Sequence, residues 1–164
     1  MKSLIFLFVC FLFVLTACSE PGPVPIFYGQ DIGEYCGMII SDNRFGAEIV
    51  TTKGKVYKFD SVESMIAYKL ENFESEDIHS YWVTDFANPG ELISAENAYY
   101  LKAEKIHSPM GLGLVAFSSE DDVLRIQAED SGSFMAFDGL EPLVMTADFF
   151  RGSATVDHQH GVEQ

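Results

Sequence analysis

Beyond Gly46 the chain runs twice through one order of elements, and such a repeat leaves few folds open. Residues 47–52 read as a strand, Lys53-Gly54 as a turn, and residues 55–59 as a second strand with Val56 and Tyr57 on opposite faces. Asp60 then opens a helix as a capping residue, with Glu63 at capping-box spacing. Val62, Met65, Ile66, Leu70 and Phe73 recur at helical spacing and form one apolar stripe, which makes Met65 a core residue. Residues 80–86 form a third strand. The second half repeats strand (98–106), strand (113–117), helix and strand (133–137), the helix capped within 118–122, running through Val123, Leu124 and Ala128, and closed by Gly132. Phe59 aligns with Phe117, Met65 with Val123 and Ile66 with Leu124 without a gap. The expected fold is α+β, two consecutive ββαβ units with antiparallel hairpins. Asn88-Pro89-Gly90 divides them into residues 35–88 and 89–142, with a polar tail over 143–164.

The N-terminus belongs to neither unit. Lys2 precedes an apolar run from Leu4 to Val14, too short to span a bilayer comfortably, so residues 1–17 read as a secretory leader. The run ends in Leu15-Thr16-Ala17-Cys18, a bacterial lipobox pattern that makes Cys18 the lipid-attachment residue and the first residue of the mature chain. Residues 18–34 begin with Pro21, Pro23 and Pro25 and are expected to act as a tether. The lipid would place the protein on a bacterial membrane, facing the periplasm or the cell exterior. Its formal charge is −15, one unit more negative once Lys2 has left. That acidity, with no basic patch, excludes a nucleic-acid partner and leaves membrane attachment to the lipid. Acidic charge favours cations or basic partner surfaces, and equally keeps a secreted chain soluble.

Cysteine arithmetic then isolates one thiol. Cys10 leaves with the leader and Cys18 carries lipid, so Cys36 stands without a partner in an oxidising compartment. Such a thiol is buried, reactive or a metal ligand, and it cannot by itself build a Cys-rich zinc site. In Cys36-Gly37-Met38 an extended backbone would turn both sulfurs to one face, an arrangement suited to a soft ion such as Cu(I). A free Cys and a Met are also ordinary core residues, and that reading stands beside the first. Met110 lies in a loop with Pro109, Gly111 and Gly113, where it either offers its sulfur outward or packs on the neighbouring unit. His107 reads as a surface imidazole. His158 and His160 form a His-x-His pair in the polar tail, which raises a second metal site as an alternative to a plain disordered tail.

Taken together, the lipobox at Cys18, Cys36-Gly37-Met38, the hairpin and helix around Phe59-Asp60, Ala95-Glu96-Asn97-Ala98-Tyr99-Tyr100, and the run from Ser108-Pro109-Met110-Gly111 to Ala116-Phe117 resemble the NosL family, accessory lipoproteins of nitrous oxide reductase. The resemblance covers residues from about Cys36 to Leu140. It implies two ββαβ units similar to the second part of organomercurial lyase. It also implies a membrane-anchored Cu(I) metallochaperone, not an enzyme, that serves maturation of nitrous oxide reductase with the NosDFY membrane complex. The family's copper ligands map onto Cys36, Met38 and Met110. A homodimer around copper stays open. Two other classes are weighed against this reading: a lipoprotein binding module without metal, and a thiol-dependent enzyme using Cys36. For the enzyme, His79, His107, His158 and His160 form no recognisable dyad pattern.

Overall fold

The computed structural model describes residues 20–153; Cys18, His158 and His160 lie outside them. Strand β1 (Ala47–Thr51) pairs antiparallel with β2 (Val56–Phe59) on one side and β3 (Ile78–Thr84) on the other, and β4 (Leu92–Ser94) adds to β3. Helix α1 (Val62–Asn72) connects β2 to β3. The second sheet places β5 (Tyr99–Lys102) between β6 (Leu114–Phe117) and β7 (Ser133–Met135), with helix α2 (Glu120–Asp130) between β6 and β7. Each sheet thus has its first strand inside, its hairpin partner on one side and the strand returning from the helix on the other. The fold is the expected α+β arrangement of two antiparallel ββαβ units. Two short helices, α3 (Leu140–Met145) and α4 (Asp148–Ser153), follow.

The repeat extends to the caps. Ser61 accepts from the Ser64 backbone N–H at the start of α1, and Ser119 accepts from the Asp122 backbone N–H at the start of α2. Asp60 is therefore not the N-cap: the box is Ser61 with Ser64, whose hydroxyl accepts from the Ser61 N–H, and Glu63 is left out of it. Met65 and Val123 are both fully buried, but Ile66 is buried where Leu124 is exposed.

Alternation explains the layering. On the second sheet Tyr100, Leu114 and Ala116 face a core shared with α1 and the first sheet, while Leu101, Val115 and Phe117 face a smaller core under α2. The shared core also takes Ile49, Phe59, Met65, Ile66 and Val83. The sheets meet where Asp85, just past β3, bridges in parallel to Ala116. The Phe86 N–H donates to the Ala116 carbonyl at 2.8 Å, and the buried Asp85 carboxylate accepts from Ser118 Oγ at 2.7 Å.

Three segments differ from their sequence reading. Strand β4 lies beyond Pro89 yet completes the first sheet, so the chain is still in that sheet after the turn that was read as a linker. The expected polar tail over 143–164 does not begin as one: residues 143–150 pack on the core. Leu140 and Val144, four apart on α3, are fully buried in the shared core, and Phe149 and Phe150 pack against it. Nor does the tether hang free from Val24 onward. Ile26 is buried, Tyr28 hydrogen-bonds Thr84, Lys58 Nζ donates to the Pro25 carbonyl at 2.8 Å, and the Val24 N–H donates to Glu48 Oε2 at 3.0 Å. Proline bars helix here but suits an extended strap with Ile26 and Tyr28 turned to the sheet.

Covering that face buries Glu48 completely, and its Oε1 has no hydrogen-bond partner among the described residues. Burial pushes its carboxyl from the ordinary 4.5 up to about 7, against the lowering effect of the Val24 N–H. A carboxyl raised by folding binds its proton more tightly in the native state, so stability falls as pH climbs from 4.5 to about 7 and then levels off. Glu48→Gln keeps an acceptor for Val24 and removes this loss. Its stability relative to the wild type should therefore rise by up to about 3 kcal/mol between pH 4.5 and pH 8. Urea unfolding of both proteins across that range measures the difference, and a pH-independent difference contradicts the assignment.

Candidate functional site

Cys36 lies on a short hairpin laid against β2. Ile32 and Ile39 form an antiparallel bridge, the Gly33 N–H donates to the Met38 carbonyl at 2.8 Å, and the Gly37 N–H to the Gly33 carbonyl at 2.9 Å. The Glu34 N–H reaches the Lys58 carbonyl on β2. Gly37 has φ +67, a left-handed turn conformation, so Cys36-Gly37-Met38 is not extended. The expectation that strand periodicity aligns the two sulfurs therefore fails: a tight hairpin end, not a pleat, places them. A Cβ on Gly33 would stand 3.1 Å from Cys36 Sγ, so the absent side chain makes room for the sulfur.

The thiol is half-buried and donates to Asp60 Oδ2 at 3.3 Å. The Asp60 carboxyl is itself buried and accepts from Ser64 Oγ at 2.6 Å through its other oxygen. Burial pushes the Cys36 thiol above its ordinary range, and the neighbouring Asp60 adds to the rise, while the Met38 backbone N–H opposes it. Cys36 is accordingly a protonated, hydrogen-bonded thiol at neutral pH. Met38 is 58 % exposed, with its carbonyl tied into the hairpin.

Met110 occupies the turn between β5 and β6 and is half-buried. The Gly111 N–H, at φ +86, donates to the Ser108 carbonyl at 3.0 Å. Ser108 Oγ accepts from the Gly113 N–H at 2.8 Å and donates to Glu63 Oε1, the same oxygen that accepts from the Leu114 N–H at 3.3 Å. Glu63 is fully buried, and burial raises its carboxyl well above the ordinary range.

The N-terminal end of α1 thus ties both motif loops, the Cys36 hairpin through Asp60, just ahead of the Ser61 cap, and the Met110 loop through Glu63 in the first turn. His79 and His107 are exposed. Sequence reasoning missed Asp60, Glu63, Ser64 and Ser108. The available signal was Glu63: it precedes Ile66, Ala67 and Leu70 by three, four and seven, an acid set inside the apolar face of a helix.

The sequence pattern of the NosL family matches residues 23–145, three quarters of the chain. The chain belongs to the NosL family. That span begins in the strap over the first sheet and ends with α3, so both are part of the family's folded body. A copper-binding lipoprotein NosL of Stutzerimonas stutzeri is 27% identical over 146 residues, covering 81% of this chain and 77% of that protein. The crystal structure of the copper chaperone NosL from Shewanella denitrificans superposes with a TM-score of 0.64 at 20% identity, over 73% of this chain and 96% of that one. At that identity the likeness concerns the fold.

Asp60→Asn should lower the pH at which Cys36 reacts. Removing the carboxylate takes away a charge that opposes the thiolate, while burial persists, so the thiol falls only part of the way to its ordinary range. Iodoacetamide alkylation of Cys36 at pH 7.5 should run severalfold faster in the variant. An unchanged pH–rate profile would show that Asp60 does not govern the thiol.

Proposed function

We propose that this NosL-family protein is a lipid-anchored Cu(I) metallochaperone that carries copper for maturation of nitrous oxide reductase, working with the NosDFY membrane complex. Cys36, Met38 and Met110 are its copper ligands and Cys18 its lipid attachment. The observation that carries the reading is the shared footing of the two sulfur-bearing loops. The Cys36 hairpin and the Met110 loop come from different units and dock at the N-terminal end of α1, on Asp60 ahead of its cap and on Glu63 in its first turn. One thiolate and two thioethers suit a soft monovalent ion, and they leave room for a recipient's ligands to enter before the donor's leave. The named copper-binding and copper-chaperone relatives support the same cargo. A thiol enzyme requires the reverse of what surrounds Cys36, because a nucleophilic cysteine is held below its ordinary range by positive neighbours, not above it by burial and a carboxylate.

Cu(I) is the cargo, and the thiolate neutralises it. Binding therefore releases the Cys36 proton, and apparent affinity should climb about tenfold per pH unit below the thiol's range. Cys36→Ser should nearly abolish tight Cu(I) uptake. Met38→Leu and Met110→Leu should each weaken it by a smaller step, on the order of tenfold, ~1.4 kcal/mol. Met65→Leu, at a fully buried core position, and Met135→Leu, packed against the same core, should leave it intact. Competition against a Cu(I) chelator under reducing conditions reads all five. A Met110→Leu variant that binds like the wild type while Met65→Leu does not would redraw the site.

Anchoring has its own test. Replacing the Cys18 thiol by a hydroxyl removes the acceptor for acylation, and with it the chains that make attachment durable. Cys18→Ser should move the protein out of the membrane fraction or leave the leader uncleaved. Continued lipidation and membrane retention in that variant would rule out Cys18 as the anchor.

A further inference from the structure

We propose that Glu63 is a positioning residue for the Met110 arm of the copper site: its buried carboxyl fixes both ends of the 108–114 loop to α1 and so sets where Met110 stands relative to the Cys36 hairpin. The inference rests on Met110 being a ligand, as proposed above.

The loops connecting the two hairpins differ. Between β1 and β2 only residues 52–55 intervene, a turn closed by Gly54 at φ +79, whereas residues 103–113 separate β5 from β6. A loop of that length needs internal fixing to hold a side chain in one place. Asp130 of α2 holds its first residues, accepting from the Glu104 and Lys105 N–H groups, and Glu63 Oε1 closes the 108–114 segment that carries Met110, accepting from Ser108 Oγ and from the Leu114 N–H. Ser108 Oγ in turn accepts from the Gly113 N–H. Gly113 sits at φ +72 with its Cα so close to the Ala103 carbonyl that a Cβ would stand 2.5 Å from that oxygen. Met110 lies between these closed ends.

Packing alone does not account for the residue. Glu63 is fully buried beside Ile66 and Ala67, where an apolar side chain would complete the stripe. Its Oε2 has no hydrogen-bond partner among the described residues, so the acid carries a desolvation cost that a Leu would avoid. The position equivalent by the repeat, Asp121 of α2, is exposed. The buried acid of α2 is Asp130 instead, and its Oδ1 accepts from the Glu104 and Lys105 N–H groups, so it holds the beginning of the long loop and leaves the segment around Met110 to Glu63. Just ahead of the α1 cap, Asp60 accepts from the Cys36 thiol and is itself held by Ser64 Oγ, so a fixed loop on Glu63 gives the two sulfurs one common reference.

The test combines Cu(I) chelator competition with copper X-ray absorption, which counts sulfur neighbours around the metal. Near-UV circular dichroism serves as the check on folding. Glu63→Gln keeps an acceptor for Ser108 and Leu114 and should match the wild type in affinity and sulfur count. Glu63→Leu fills the space but frees the loop. It should lose affinity as Met110→Leu does, on the order of tenfold, and show one sulfur fewer. The double variant should bind no more weakly than Met110→Leu alone. If Met110→Leu weakens binding while Glu63→Leu keeps wild-type affinity and sulfur count, or if the two losses add, the positioning role is overturned and the ligand assignment stands. If Met110→Leu itself matches the wild type, the ligand assignment fails and the proposal falls with it. Should Glu63→Leu fail to fold, Ser108→Ala removes the same bond from the loop side. It must then show the sulfur loss, and a wild-type count in it overturns the proposal.

Discussion

The N-terminal end of α1, with Asp60 just ahead of its cap, is where the two ends of the proposed site are tied together, and its own position comes from burial. Val62, Met65 and Ile66 lie in the core shared by both sheets, so the helix cannot shift without exposing them. Its start is fixed by the reciprocal Ser61–Ser64 bonds, which satisfy backbone groups that a helix end otherwise leaves open. What remains of the polar equipment at that end points away from helix capping. Asp60 reaches the Cys36 thiol, and Glu63 reaches the loop of the second unit. Apolar packing sets the helix, the helix sets the carboxyls, and the carboxyls set the loops.

On the copper-carrier reading this hierarchy matches what uptake and release demand. The thiol waits protonated against Asp60, half-buried, while Met38 stands exposed with Ile32 and Ile39 beside it on the hairpin. A cation arriving at the sulfur must displace the thiol proton, and the adjacent carboxyl is placed to interact with either. The weak, neutral thioethers add affinity without the charge that would make release slow. A rigid footing keeps their geometry reproducible, and an exposed hairpin tip leaves it reachable.

Regular elements were legible in the sequence because their periodicities are strong. Alternation along β5 and β6 sorts Tyr100 and Leu114 to one core and Leu101 and Phe117 to the other, and the α1 stripe lands in the shared core. The candidate residues Cys36 and Met110 were legible as chemistry. Their geometry was not. Gly37 at φ +67 turns the backbone where an extended segment was expected, and a glycine's sign of φ cannot be read from its letter. The cap was displaced by one residue because Asp, Ser and Thr all cap well, and the choice of Ser61 frees Asp60 for a tertiary partner. The C-terminal helices escape a sequence reading because each is only six residues long, too short for a helical period to show, although Leu140 and Val144 carry helical spacing and are fully buried.

The repeat supplies a scaffold, and the site grows from what the repeat does not contain. Both units share strand order, caps and the paired core positions of Met65 and Val123. The hairpin over residues 32–39 precedes the first unit and has no counterpart ahead of the second. The long loop over 103–113 replaces what is a four-residue turn, 52–55, in the first unit. The hairpin settles at the start of α1 through Asp60, whereas the long loop is held from both helices, by Glu63 of α1 and by the buried Asp130 of α2, whose Oδ1 accepts from the Glu104 and Lys105 N–H groups. A helix buried on several sides can fix loops from two directions, whereas a surface helix can fix them from one. On the proposed ligand set, the start of α1 is thus the footing that the two sulfur-bearing segments share.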